Sequence, residues 1–205
     1  MEPYRKVTLR DVALKAGVST STVSRVLDER LPTSNSPAAQ RVREIARELG
    51  YTRDALASSL RRQGTSTVGV IVPRLSDVVM AIFYEAVAAE CEARGIFAVV
   101  ATTRDQEDRD QVAIDSLLSR RVDGLILTTA RLDVDTTKSL RGMGVPHVLA
   151  LRSDGRSAAA VGDDRLGGYI ATRHLLDLGH RRIGLAMGSA HASSAVARRA
   201  GYEEA

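Results

Sequence analysis

Residues 19–25, Ser-Thr-Ser-Thr-Val-Ser-Arg, place a run of short hydroxyl side chains beside one guanidinium. Hydroxyls of this size pair with several bases, and an arginine fork favours guanine. The chemistry on offer is therefore hydrogen bonding to base edges and phosphate oxygens, not bond making. At helical spacing Val23, Val26 and Leu27 face inward, while Thr20, Ser21, Thr22, Ser24 and Arg25 stay outside. An ordinary solvated helix would carry Glu and Lys on that face. Thr20, Ser21 and Arg25 are the candidate base readers, with Thr22 and Ser24 beside them. Ser19 and Thr8 stand where a hydroxyl caps a helix end or meets a phosphate.

Three short helices must hold this row in place. The first starts after Thr8 and buries Leu9, Val12, Ala13 and Ala16, and Gly17 supplies the positive φ that ends it. Ser19 then caps the second. Ser36 caps a third, with Pro37 at its first position, an inward stripe of Val42, Ile45, Ala46 and Leu49, and Gly50 as its stop. The second helix then reads as the recognition element of a helix-turn-helix. A plain helical domain with a polar face is the alternative. The three-helix core is small for independent stability.

Charge separates the chain into the same parts. Residues 1–63 hold 12 Lys or Arg against 7 Asp or Glu, and residues 64–205 hold 17 against 18. The positive excess thus sits with the helix-turn-helix, as phosphate neutralisation requires. With 44% apolar and 26% charged residues the chain is globular. No apolar run is long enough to cross a bilayer, and the N-terminus lacks the apolar stretch of a signal peptide. Cys91 is the only cysteine and reads as a buried thiol. His147, His174, His180 and His191 show no metal-ligand spacing. The expected compartment is the cytoplasm, with no metal and no cofactor.

From Thr67 strands alternate with helices. Strands are expected at 67–73, 96–103, 122–129 and 146–151. Helices are expected at 78–94 (Val79, Ile82, Phe83, Ala86, Val87 and Cys91 on one side), at 107–121 (Val112, Ile114, Leu117, Leu118) and at 133–143. This order implies a doubly wound parallel sheet. A strand at 158–162, a helix at 164–178, a strand at 181–188 and a helix from 195 open a second lobe. Ligands bind beyond the carboxyl ends of such strands: at 73–77, where Ser76 and Asp77 are candidates, 102–104, 128–130, 151–153, where Arg152 is one, and 188–194. No Gly-x-Ser-x-Gly elbow, phosphate loop, dinucleotide fingerprint or acid–base carboxylate pair is present, so no enzyme and no catalytic residue is expected.

The run VTLRDVALKAGVSTSTVSRVLD, a third helix ending ELGY, VDGLIL, VGDDRLGGYIATRHLLDLGHRRIGLAMG and RRAGYEEA together resemble the lactose-repressor (LacI/GalR) family of bacterial transcription regulators. The resemblance implies a DNA-binding headpiece over 1–52, a hinge helix and linker over 53–66, and a periplasmic-binding-protein-like core. The first lobe of that core would span 67–157 and the second 158–205. It further implies a homodimer on a near-palindromic operator and a small-molecule effector of the sugar or sugar-derivative class. By matching ALASSL, Leu60 is the hinge leucine that wedges between base steps. Ala57 would pack beside the groove and Arg61 would reach bases or phosphate. A contact between Leu60 and the core is the alternative. The family often has Pro-Asn after the tyrosine; this chain has Arg53-Asp54, and Asp54 can cap the hinge helix.

Arg198, three positions before the Gly-Tyr pair, matches an arginine that commonly binds effector in the family. A surface ion pair is its alternative. Phe83 reads as core, His180 as structural, and Asp163 and Asp164 as helix caps. Many relatives carry Asp-Arg after the fourth strand, where this chain has Leu151-Arg152. Family members continue well past GYEEA, so the chain reads as truncated at its C-terminus, with an incomplete second lobe, a headpiece that folds but is marginal until it meets DNA, and an unstable core that responds poorly to effector. The function expected is an effector-controlled repressor of catabolic or transport genes. The alternatives are a cytoplasmic small-molecule binding protein or a non-responsive fragment of a regulator.

Overall fold

Thr8 opens α1 (Leu9–Ala16) with a reciprocal cap: its backbone N–H donates to Asp11 Oδ2 at 2.8 Å, and its hydroxyl accepts from Asp11 N at 3.3 Å. Gly17, at φ 69°, turns the chain out of the helix, and Ser19 starts α2 (Thr20–Val26) by accepting from Thr22 N. Ser36 and Pro37 start α3 (Pro37–Glu48). Val12, Val23 and Val42 are fully buried where the three helices meet, with Ala13, Ala16, Ile45 and Ala46 around them. A computed structural model describes residues 7–28, 31–51 and 64–205. The chain separates into two units, Met1–Arg61 and Arg62–Ala205. The expected hinge residues, Arg53, Asp54, Ala57, Leu60 and Arg61 included, lie outside the described residues.

The second unit is built on a parallel sheet of β1 (Thr67–Val72), β2 (Phe97–Thr102), β3 (Gly124–Leu127), β4 (His147–Ala150) and β5 (Ala159–Ala160), in the order β2-β1-β3-β4-β5. Three helices cover its faces. On one, α4 (Val78–Ala93) packs over Val70, Val72 and Ala98. On the other, α5 (Glu107–Ser119) and α6 (Lys138–Gly142) cover Ile71, Leu125, Leu127 and Leu149. Burial on both faces explains why these strands are apolar throughout. Two more helices, α7 (Asp164–Asp177) and α8 (Ser193–Glu204), pack against each other.

Several sequence expectations are corrected. In α4 the inward residues are Met80, Phe83, Tyr84, Val87, Ala88 and Cys91, while Val79, Ile82 and Ala86 face solvent. The helix is apolar on nearly every side, so periodicity could not choose its face. Cys91 is half-buried. In α5 Asp110, Ala113, Ile114 and Leu117 point inward and Val112 outward. The helix expected over 133–143 forms only at Lys138–Gly142. Before it, Asp135 and Thr137 are drawn into a polar knot with Arg141, Asp154 and Ser157. The 158–162 strand extends the first-lobe sheet, pairing Ala159 with Leu149, and does not open the second lobe. Residues 181–188 join no strand ladder. Tyr202 pins them by donating its hydroxyl to Ile183 O at 2.7 Å.

Candidate nucleic-acid interface and ligand cleft

The outer face of α2 carries Thr20, Ser21, Thr22 and Arg25, all exposed, and Ser24 sits half-buried on its shoulder. Val23 holds the helix to the core, so the hydroxyl face turns outward. Ser19 Oγ lies 2.8 Å from Ser21 Oγ and 2.9 Å from Thr22 Oγ1, and it accepts from Thr22 N. These three hydroxyls therefore organise one another. Thr8 is likewise committed to its cap, its hydroxyl donating to Asp11 Oδ2 at 2.7 Å. Arg25 borders a cleft of about 620 Å³ that also has Thr22, Thr33, Ser34, Ser36 and Arg43 on its walls. Arg43 donates to Ser34 O at 2.5 Å and fixes the loop before α3. Asp28 and the apolar Val26, Leu27, Leu31 and Pro32 complete the lining of the cleft, so the positive charge facing outward here is that of Arg25.

In the second unit the strand order reverses between β1 and β3, and their carboxyl ends carry the 73–77 and 128–130 stretches. Asp77 caps α4, its Oδ1 accepting from Val79 N at 3.0 Å, and Ser76 is exposed beside it. Arg152 closes its fork on Asp105, at 2.7 and 3.1 Å, and His191 Nε2 lies 3.2 Å from the same carboxylate. Burial opposes the charge on Asp105, but Arg152 and then His191 outweigh it and hold the carboxyl below its ordinary value. The loops after β2 and β4 and the segment before α8 are thus joined at one carboxylate. Leu132 N adds a bond to His191 O at 2.9 Å, and Ser153 N one to Ser193 Oγ at 2.8 Å. Arg104, Asp105 and Leu151 all adopt left-handed φ on this edge, local strain of the kind concentrated at ligand sites.

Asp110 lies beneath this edge, 1% exposed, and neither of its oxygens has a hydrogen-bond partner. Burial pushes its carboxyl upward; the neighbouring Thr103 and Thr129 hydroxyls pull it back, and the charge on Asp105 raises it again. Sequence reading passed over Asp105, Asp110 and His191 as sites. Asp105 falls one residue beyond the 102–104 stretch, and His191 lies within 188–194.

Arg198 does not join Arg152. Its Nε donates to Asp164 Oδ1 at 2.8 Å, and its side chain is 64% exposed. It borders a cavity of about 480 Å³ with Asp163, Gly168, Leu185 and Tyr202. Asp163 caps α7 through Leu166 N at 2.9 Å, the role expected of it. Below Arg198, α7 and α8 cross backbone to backbone. A Cβ at Gly168 would overlap the Arg198 carbonyl, and one at Gly201 would overlap the Arg165 carbonyl and lie 2.6 Å from Tyr169 N.

Residues 65–205 match the family of periplasmic binding proteins and the sugar binding domain of the LacI family, and residues 8–54 match the bacterial regulatory proteins of the lacI family. The chain is 33% identical over 201 residues to the ribose operon repressor of Escherichia coli (strain K12). It is 31% identical over 201 residues to the HTH-type transcriptional repressor PurR of Glaesserella parasuis serovar 5. Each alignment takes in 97% of this chain but only 61% and 58% of those relatives, so the chain spans about 60% of their length. Its structure is similar to that of the lac repressor dimer bound to operator and an anti-inducer (TM-score 0.81, 26% identity, 98% of this chain and 61% of that one). It is also similar to that of a LacI-family regulator from Silicibacter pomeroyi (TM-score 0.76, 31% identity, 97% and 60%). With a helix-turn-helix and a doubly wound sheet each matched in its own segment, the chain belongs to the LacI family of bacterial regulatory proteins.

Proposed function

We propose that this chain is a sequence-specific DNA-binding regulator of the repressor type, acting as a homodimer on a near-palindromic operator in the cytoplasm and answering to a small polyhydroxylated effector. The observation that carries the reading is the outward hydroxyl-and-arginine face of α2, locked to its core by Val23. Thr20, Ser21 and Arg25 are assigned to base edges in the major groove, and Thr22 and Ser24 to its walls. Ser19 and Thr8 are assigned to the helix ends that meet phosphate. Ala57, Leu60 and Arg61 keep their hinge assignment on the family resemblance alone. Val78, Val79 and Ile82, each more than 60% exposed on one stretch of α4, are the proposed seam between two copies. The effector is assigned to the carboxyl edge, with Ser76 and Asp77 on one side and Arg152, paired to Asp105, on the other. Arg198 is assigned to the second-lobe side. No catalytic role is assigned to any residue.

The test is a gel shift of the whole chain on duplexes selected from a random pool, at low and at raised salt. Affinity is expected to fall steeply with salt, as released counterions require. Arg25→Ala is expected to weaken the selected duplex by about 1–3 kcal/mol, roughly 5- to 150-fold, and to relax the preference at one base pair. Unchanged affinity and unchanged preference in that variant would remove Arg25 from the interface.

A further inference from the structure

Arg152 and His191 converge on one carboxylate from two different segments of the carboxyl edge. Arg152 follows β4, and its Nη1 and Nη2 donate to Asp105 Oδ1 and Oδ2 at 2.7 and 3.1 Å. His191 precedes α8, and its Nε2 lies 3.2 Å from Asp105 Oδ2. A planar fork and an imidazole around two oxygens form a donor set suited to any carboxylate, from within the chain or from a ligand. The three side chains stay partly open to solvent, 17% exposed for Arg152 and His191 and 20% for Asp105. The backbone that carries each donor is tied down without Asp105: His191 O accepts from Leu132 N at 2.9 Å, and Ser153 N, next to Arg152, donates to Ser193 Oγ at 2.8 Å. Asp105 is held under strain instead. Arg104 and Asp105 take consecutive left-handed φ of 58° and 59°, and the Asp105 charge opposes that of the buried Asp110. Arg131, just past β3, is already closed on Asp133 at 2.9 and 2.8 Å.

We infer that Asp105 is an internal stand-in for the effector: the Arg152–His191 donor pair takes the carboxylate of a small polyhydroxylated monocarboxylic acid, whose place Asp105 fills in the unliganded chain. This inference rests on the assignment of the effector to the carboxyl edge and narrows its chemical class. Exchanging one carboxylate for another leaves the charge facing Asp110 unchanged, whereas a phosphate dianion would add to it. A neutral sugar offers the guanidinium no charge to exchange for that of Asp105. Because Asp105 competes from within, the apparent affinity for the acid is lowered in proportion to the fraction of molecules whose fork stands open.

The experiment is calorimetric titration of the full chain with D-gluconate, D-glucose and D-glucose 6-phosphate at neutral pH. The wild type is expected to bind gluconate about tenfold or more tightly than either of the others. Asp105→Asn keeps the shape of the side chain and tolerates the left-handed φ. It is expected to bind gluconate about tenfold more tightly than the wild type, as for a fork that its own carboxylate occupies about nine-tenths of the time. Arg152→Gln is expected to lose about tenfold or more in either background. A second measurement needs no variant to fold: the His191 Nε2 nitrogen resonance of the wild type is expected to move with gluconate and to stay with glucose. Glucose bound as tightly as gluconate, with Arg152→Gln weakening both, overturns the inference and leaves the effector assignment at this edge standing. Glucose 6-phosphate bound more tightly than gluconate overturns the choice of a monocarboxylate. No binding of gluconate by the wild type or by Asp105→Asn overturns the inference outright, while the DNA-binding reading is judged separately by its gel shift.

Discussion

Gly201→Ala is expected to lower the thermal midpoint of the second unit by roughly 5–10 °C, whereas Gly167→Ala should raise it slightly. Helix propensity alone predicts the same gain, up to about 1 kcal/mol, for either change. The contacts decide otherwise. Nothing lies within 4 Å of a Cβ built on Gly167, while one on Gly201 would overlap the backbone of α7. Backbone cannot rotate away as a side chain can, so the two helices must separate at a cost of about 2–4 kcal/mol. The net loss then shifts the midpoint at a few degrees per kcal/mol for a unit of this size. Gly168→Ala should behave like Gly201→Ala, because its Cβ would meet the Arg198 carbonyl. Thermal denaturation followed by circular dichroism checks all three. A Gly201 variant that melts at or above the wild type would mean that the helices do not cross this closely.

Asp110→Asn is expected to stabilise the second unit by about 1–3 kcal/mol at neutral pH and to remove part of its pH dependence. The native environment raises the carboxyl above its unfolded value. Between those two values the folded chain binds more protons than the unfolded chain, so stability falls as pH rises through that window and stays low above it. Below the window the wild type regains what the buried charge had cost. The amide cannot ionise, so its advantage should be greatest above the window and shrink in acid. Asp105, whose carboxyl is held below its ordinary value, acts with the opposite sign and only at lower pH. Its charge also raises Asp110, so the two titrations are coupled, and the comparison is read at pH values where Asp105 is ionised in both proteins. Urea titrations of wild type and variant from about pH 4 to pH 8 supply the measurement. A stability difference that stays constant across that range would exclude a raised carboxyl at Asp110.

The sequence was most legible where the signal is local. Thr8, Ser19 and Ser36 each cap the helix expected of them, and Gly17 ends α1 in the left-handed region. Apolar runs marked β1 to β4 for the same reason. What escaped depends on residues far apart in the chain. Asp105 meets Arg152 47 positions away and His191 86 positions away, and no periodicity links such groups. Asp110 stands in the first turn of α5 with Glu107 and Asp108. An acid there ordinarily answers the helix dipole at the surface, so its burial is visible only once the sheet lies over it. Gly167 and Gly168 are alike in the sequence, and only the crossing of α8 over Gly168 tells them apart. Two effector candidates also changed character: Arg152 and Arg198 are both ion-paired, with Asp105 and Asp164 respectively.

The order β2-β1-β3-β4-β5 carries a kinetic consequence. To form its central ladder the chain must bring Val68 to Gly124 before any of that pairing is rewarded. The caps of α1, α2 and α3 ask only for neighbours three residues apart. As the polypeptide leaves the ribosome, the amino-terminal unit can therefore complete itself on a microsecond-to-millisecond scale while the sheet still awaits its partners. The order of completion, three-helix unit first and sheet second, thus follows from how far apart in the chain each unit's partners lie.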